Sequence, residues 1–437
     1  MMTPMESAAP PTTTRLDVDW LRTGELARIL ALLDSNSEEA RVVGGAVRNA
    51  LLREPLGDID IATTALPEEV VRRVEAAGCK AVPTGIEHGT ITVVADSQPF
   101  EVTTLREDIE TDGRRAKVAF GRDWRRDAER RDFTMNALFL GRDGTVHDYV
   151  GGLADIAQRR VRFIGDAAMR IAEDYLRILR FFRFHAAYGH GGLPDAAGLH
   201  ACIVARQGLE TLSRERVRME MFKLMLARHT VPALAVMAET GLIEMVLGGV
   251  PLLASLSNLI KLEASLLLPP DPARRLAALG VLVTEDAERL RERLRLANAE
   301  SERLMSMGDA WWRIVAGWSE QDARALLYRL GPDGYIDRVL LAWSRAPEGV
   351  ANPQWRALAT LPSRWSAPRF PLKAADFMAR GIERGPRLGA ALRAAEEAWI
   401  KAGFPLHRTI LLAIIDAAIE ATGSRGQFPP PSSDRLA

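Results

Sequence analysis

The chain has 437 residues, with 57 Lys and Arg matched by 57 Asp and Glu, so two to four structural units are expected and no overall basic excess advertises a nucleic-acid partner. Two well-separated cysteines, Cys79 and Cys202, exclude a disulfide framework or a zinc knuckle and suit a reducing cytosol. No run reaches the length of a membrane span, and Met1 to Thr14 lacks the basic start and apolar run of a secretion signal, so a cytoplasmic protein with no membrane partner and no evident obligate protein partner is expected.

After a loose leader over residues 1–22, Leu26, Ile29, Leu30 and Leu33 recur at helical spacing and predict a packing helix over residues 23–34. From Val42 to Ala62 the chain reads as a short apolar strand, a glycine turn, one helix, and a second strand carrying Asp58 and Asp60. On a strand, positions i and i+2 share a face, so the two carboxylates project together while Ile59 and Ile61 point into the core. Such a pair repels itself unless a hard cation lies between, and Mg²⁺ prefers one or two carboxylates completed by substrate phosphates. Gly44 and Gly45 allow backbone to approach a phosphate, the next helix N-terminus attracts anions, and Arg48 sits one turn in to grip oxygens.

A helix follows over residues 67–77, then a strand over 81–94 and another over 100–106, in which Glu101 could bring a third carboxylate to the aspartate pair or simply face solvent. Residues 106–131 turn charged and poor in apolar groups, which predicts a mobile loop. Beyond it, Arg131 offers a fork for phosphate and Asp132 an acceptor for ribose hydroxyls. Asp148 to Asp155 reads as a glycine turn, with Asp155 placed to cap the next helix or brace a hinge. A helix is predicted over residues 171–184, with Asp174, Arg177, Arg180 and Arg183 on one stripe and Leu176, Leu179 and Phe182 toward the packed side.

Asp174 and Arg177, one turn apart and expected as charge partners, supply an acceptor and a donor. Cytosine and adenine both show an amino donor beside a ring-nitrogen acceptor, whereas uracil and guanine show the reverse order. This pair therefore satisfies C or A and opposes U and G at a cost of roughly 1 to 3 kcal/mol per unpaired buried group. Arg180 and Arg183 are left for triphosphate oxygens. Ser213 is expected to cap the following helix and Arg216 to pair with Glu220 at i, i+4. Helical segments continue to about residue 345. A linker rich in Pro and Trp, residues 345–371, then leads to a basic helix-turn-helix in which Lys373, Arg380, Arg384 and Arg387 suit a phosphate backbone.

Gly-Gly-Ala-Val-Arg from Gly44 with Gly-Asp-Ile-Asp from Gly57, Arg-Arg-Asp-Phe-Thr-Met-Asn from Arg130, the turn at Asp148, Glu-Asp-Tyr-Leu-Arg from Glu173 and the run from Ser213 to Glu220 together resemble the class II tRNA nucleotidyltransferases. That family comprises the CCA-adding enzymes and the bacterial poly(A) polymerases. The resemblance covers about residues 40–225 and implies an α+β fold: a small nucleotidyltransferase head with a mixed β-sheet (residues 23–140), followed by an all-α neck (141–225), body (226–345) and basic tail for tRNA (346–425), then a disordered end (426–437).

It further implies template-independent addition of CCA to the tRNA 3′ end from CTP and ATP, with Asp58, Asp60 and Glu101 catalytic and Asp58 and Asp60 holding two Mg²⁺ ions. Gly44, Gly45, Arg48, Arg131, Asp132, Asn136, Asp174, Arg177, Arg180 and Arg183 are then the nucleotide-binding residues. Asp112 to Arg114 resembles the family's flexible loop, which helps reshape the pocket between C and A. Ala374 stands where relatives often have Gly. The alternatives on the same fold are a poly(A) polymerase or an A-only or CC-only adder, and from another class a non-catalytic RNA-binding protein. Residues 81–89 lack the basic stretch usual in poly(A) relatives, and the scattered histidines give no metal cluster of the kind an appended phosphohydrolase domain carries.

Overall fold

A computed structural model describes residues 14–112 and 115–423. The chain divides into two compact units, one running to Leu253 and taking in Arg289–Ala297, the other Ala254–Glu288 with Asn298 onward.

The first unit is built on a mixed sheet. Its strands among the described residues are β1 (Thr14–Arg15), β2 (Ala40–Val43), β3 (Asp60–Thr63), β4 (Lys80–Gly85), β5 (Thr90–Ala95), β6 (Gln98–Thr104), β9 (Leu138–Gly141) and β10 (Thr145–Asp148), in the order β1-β10-β9-β2-β3-β6-β5-β4. Only β3 and β6 pair in parallel, which sets Asp60 opposite Glu101. Alternation in the sequence becomes alternation in burial, with Ile91, Val93 and Ala95 of β5 turned inward. Helix α1 (Gly24–Leu33) buries Leu26, Ile29, Leu30 and Leu33, as their spacing predicts, and the predicted helix 67–77 is α3 (Pro67–Ala76).

Several segments differ from the sequence reading. The stretch over residues 81–94 is a hairpin rather than one strand, because Gly85 and the left-handed Gly89 (φ +80°) turn the chain between β4 and β5. Residues 106–131 are not a loop. Arg106–Asp112 (β7) and Arg115–Phe120 (β8) form an antiparallel pair, and helix α4 (Trp124–Glu129) follows, its N-cap Asp123 accepting the Arg125 and Arg126 N–H groups. Trp124 and Ala128 from this helix join Val43, Ala62 and Phe139 in one apolar cluster, so few apolar residues sufficed to anchor it. Residues 113 and 114 of the family-like loop lie outside the described residues, as do the final residues 426–437. Where the sequence predicts a loose leader, Thr14–Arg15 pairs with β10 and Asp19–Arg22 forms a helical turn.

Past the sheet come α5 (Gly152–Ala157), α6 (Ala167–Glu173), α7 (Leu176–Tyr188) and α8 (Arg214–Met225). The predicted helix 171–184 is broken: Asp174 is extended (φ −157°, ψ 106°) and its carboxylate accepts the Leu176 N–H at 3.1 Å, starting α7 afresh. Phe181 and Phe184 of α7 hold it against Phe133 and Phe163, with ring centroids 5.2 to 6.3 Å apart. Ser213 precedes α8 without a side-chain cap bond, and its buried hydroxyl has no partner among the described residues.

Every regular element of the second unit among its described residues is a helix. Its long helix α9 (Glu320–Ser344) is kinked where Gly331 adopts φ +71° ahead of Pro332. Buried Asp337 and Glu263 are clamped by Arg274, Arg275 and Arg303 at 2.5 to 3.1 Å. The predicted linker 345–371 instead contains helices Pro353–Ala359 and Leu361–Arg364, and Trp355 stacks on Trp343 at 6.3 Å, so its tryptophans fill a core. The basic helix-turn-helix is present as α10 (Ala374–Met378) and α11 (Pro386–Lys401).

Candidate active site

One cavity of about 640 Å³ in the first unit gathers Gly44, Gly45, Arg48, Asp58, Asp60, Arg131, Asp132, Asn136, Asp174, Arg177, Arg180 and Arg183. Every residue read from the sequence as metal- or nucleotide-binding between Gly44 and Arg183 lines it, whereas Glu101, read there as catalytic, does not. The size suits a nucleotide-scale ligand.

The strand side holds the acidic groups. Asp60 opens β3, but Asp58 lies before the strand and is exposed, and Ile59 is only partly buried, so the strict i, i+2 alternation holds from Asp60 onward and not across the pair. Burial, then the neighbouring Glu101 charge, and lastly Asp58 push the Asp60 carboxyl up to about 6, against the pull of Arg131. Glu101 is the register neighbour of Asp60 across the parallel pair, exposed and outside the cavity wall. Among the described residues no three His, Cys, Asp or Glu side chains converge closely enough to hold an ion. Asp58 and Asp60 thus form an oxygen-donor corner that a hard cation fits only with further oxygens from a ligand.

Gly44 joins this corner to helix α2 (Gly45–Leu52). Its φ of +74° and ψ of −119° lie where a side chain is strained, and an added Cβ would stand 3.6 Å from the Asn136 carbonyl oxygen. Arg48 is buried and already engaged. It donates to Asn136 Oδ1 at 2.5 Å and Tyr188 Oη at 2.6 Å and lies 3.9 Å over the Tyr188 ring. Burial lowers its pKa. Arg131 donates to the buried Asp127 at 2.9 and 3.1 Å.

On the helix side each carboxylate is paired. Asp132 accepts from the Phe133 N–H and Asn136 through one oxygen and from Arg180 through the other, at 2.5 to 3.1 Å. Its pKa is lowered, Arg180 and these hydrogen bonds outweighing a large desolvation penalty. Glu220, buried, takes Arg183 at 2.5 Å. Arg216 therefore does not pair with Glu220 as its spacing suggests. It donates to Asp174 Oδ2 at 2.6 Å, while Arg177 is held by Glu173 and the Arg170 carbonyl oxygen. The predicted Asp174–Arg177 pair is replaced by Asp174–Arg216, because the helix break turns Asp174 off the α7 stripe.

The cavity also includes Asn49, Arg130, Phe184, Tyr188 and Arg216, which the sequence reading leaves out of the site. Phe184 and Tyr188 stand four residues apart on α7 and stack at 5.7 Å, a spacing legible as one face. Behind the wall, buried Asp155 lies inside α5 and does not cap it. It accepts from Thr134, Arg160 and Arg162 at 2.6 to 2.9 Å, whereas Asp148 accepts the four N–H groups from Val150 to Leu153 at the helix start. In the second unit Lys373, Arg384 and Arg387 are exposed, while Arg380 is paired with Asp416 at 2.9 Å.

Residues 40–162 match the family model described as the poly A polymerase head domain, and residues 199–256 the model described as the probable RNA and SrmB-binding site of polymerase A. The chain is 34% identical over 398 residues to the CCA tRNA nucleotidyltransferase 1, mitochondrial, of Danio rerio, covering 90% of this chain and 91% of that protein. It is 43% identical over 218 residues to the CCA-adding enzyme of Leuconostoc citreum, covering 49% of this chain and 53% of that protein. The crystal structure of the Bacillus stearothermophilus CCA-adding enzyme in complex with CTP superimposes with a TM-score of 0.69 at 28% identity, over 92% of this chain and 98% of that one.

Proposed function

The chain belongs to the family of tRNA nucleotidyltransferases and poly(A) polymerases, and within it we propose that it adds CCA to the 3′ end of tRNA from CTP and ATP without a nucleic-acid template. The observation that carries this reading is the convergence, on one cavity, of an acidic corner, a glycine turn at a helix start, and a row of arginines beside Asp174.

In the reaction the RNA 3′ hydroxyl oxygen attacks the α-phosphorus of the incoming nucleotide, the bond to the β-phosphate bridging oxygen breaks, and pyrophosphate leaves. Family members are nucleotidyltransferases that typically use a divalent metal, and the oxygen-only donor set of Asp58 and Asp60 favours Mg²⁺ over softer ions. When bound, Mg²⁺ supplies Lewis-acid stabilisation of the attacking and leaving oxygens. Glu101 acts on this corner through its charge on Asp60, as the register between β3 and β6 supports.

Gly44 and Gly45 leave room for phosphate, and Arg48, Arg131, Arg180 and Arg183 provide the positive wall. Asp132, fixed by Arg180 and Asn136, faces the ribose hydroxyls. Asp174 accepts from the amino group of C or A, and Arg177 donates to the ring nitrogen. The head (23–140) then carries chemistry, the neck (141–225) base choice, and the body and tail (226–425) the RNA, with exposed Lys373, Arg384 and Arg387 on phosphates and Arg380 held for structure as much as for RNA. Among the described residues no helix is long and apolar enough to cross a membrane. A cytoplasmic setting is part of the proposal, supported by two buried free thiols.

The test supplies CTP, ATP, UTP and GTP singly and together to tRNA lacking its 3′ CCA, with Mg²⁺, and sequences the ends. The expected product is CCA with both nucleotides and one or two C residues with CTP alone. An A-only product, or a long A tail, overturns the proposal in favour of an A-adder or poly(A) polymerase. Absence of pyrophosphate release from all four overturns it in favour of a binding protein.

A further inference from the structure

Asp174 spends both carboxylate oxygens on protein partners, one on the Leu176 N–H at 3.1 Å and the other on Arg216 at 2.6 Å. The first contact comes from its own chain break and holds the backbone. The second comes from 42 residues further along, from the first turn of α8, and both side chains line the nucleotide cavity. The acidic residue next to hand on α8, Glu220, is committed to Arg183 and Arg180, and Arg177 is committed to Glu173. Arg216 and Asp174 are thereby sorted to each other by what their neighbours already hold.

A carboxylate fixed at both oxygens cannot rotate to offer a different edge, and a charge-assisted contact of this length fixes its plane. We propose that Arg216 is a positioning residue for nucleotide choice: it sets the plane of the Asp174 carboxylate, so that the pair, rather than Asp174 alone, determines which base edge is accepted. This rests on the reading above, in which Asp174 meets the base. It departs from the i, i+4 pairing that the sequence suggests, which would give Arg216 only a structural part.

The test measures kcat/KM for CTP and for UTP on tRNA lacking its 3′ CCA, using the full chain, Arg216→Gln, Arg216→Lys, Asp174→Ala and the double variant Asp174→Ala with Arg216→Gln. Arg216→Gln should shrink the CTP-to-UTP ratio about tenfold, Arg216→Lys should restore part of it, and the double variant should show the ratio of Asp174→Ala alone, since residues acting through one contact are not additive. Thermal melts report folding, and Arg216→Met, which keeps the aliphatic stem, replaces the glutamine variant if that protein does not fold. An unchanged ratio with both nucleotides slowed equally overturns the inference, leaving Arg216 structural. A double variant worse in ratio than either single one also overturns it, because Arg216 would then read the base itself. A wild-type protein that shows no preference for CTP over UTP sinks the function reading instead, and the two failures are thus told apart.

Discussion

The two sides of the cavity hold their acidic groups in opposite circumstances. On the strand side, Asp60 has Asp58 and Glu101 as like-charged neighbours, and burial among them lifts its carboxyl to about 6. On the helix side, Asp132, Asp174 and Glu220 each meet a guanidinium at 2.5 to 2.7 Å. Unneutralised charge is stabilisation deferred until a cation and phosphates arrive, whereas paired charge is geometry settled before any ligand binds. On the proposed function, the first region does the chemistry and the second holds the shape that a base is compared with.

The largest effect should come from emptying the strand side. Asp58→Ala or Asp60→Ala should lower kcat for nucleotide addition by roughly a thousandfold or more, with tRNA binding nearly unchanged and no loss of thermal stability. Normal turnover in Mg²⁺ by either protein would remove the distinction between the two sides.

Breaking a pair on the helix side should instead be felt in the fold. Glu220→Ala leaves Arg183 and Arg180 short of a buried partner and should cost on the order of 2 to 4 kcal/mol in denaturant unfolding. A stability within a few tenths of the parent would show that these arginines find water or each other's neighbours at no cost.

The same comparison predicts a gain on the strand side. Because the folded Asp60 pKa is raised from 3.8 to about 6, its penalty is absent below the lower value, grows as pH rises between the two, and is complete above the higher one. Asp60→Asn should therefore stabilise the metal-free protein at pH 7 by on the order of 1 to 2 kcal/mol, after discounting for partial exposure, and leave it unchanged near pH 3.5. Unfolding curves at the two pH values decide it, and destabilisation at pH 7 would contradict the assignment.

The smallest effect concerns the second unit. Replacing exposed Arg384 and Arg387 by Ala should reduce the slope of log affinity against log salt for tRNA by about one to two units, each phosphate contact being worth roughly 0.7 to 0.9. Replacing Arg380, which is tied to Asp416, should change it less.

How far these features could be read in advance follows from what sequence periodicity can detect. The packing face of α1 and the alternation in β5 are carried by neighbours one to four positions apart, and they stand where the spacing puts them, while of the two aspartates only Asp60 lies on β3. The ion pairs that shape the helix side join residues 37, 42 and 48 positions apart, and no local pattern announces them. Thus Arg216, four residues from Glu220, is read as its partner until the fold shows Arg183 there first. The break at Asp174 escaped for a related reason: Glu-Asp-Tyr forbids no helix, and only the carboxylate's own bond to the Leu176 N–H decides against one. The β7 and β8 pair was hidden by charge, since a two-stranded ribbon needs little apolar surface of its own.

On the proposed function, the helix side chooses the nucleotide while the strand side transfers it. The most direct measurement is the ratio of kcat/KM for CTP to that for UTP in Asp174→Ala against the parent, a ratio that does not depend on how much enzyme is active. The ratio should shrink by about tenfold or more, with CTP losing most and UTP little. Equal losses for both nucleotides would mean that Asp174 only supports Arg216 and the start of α7, and would contradict the claim.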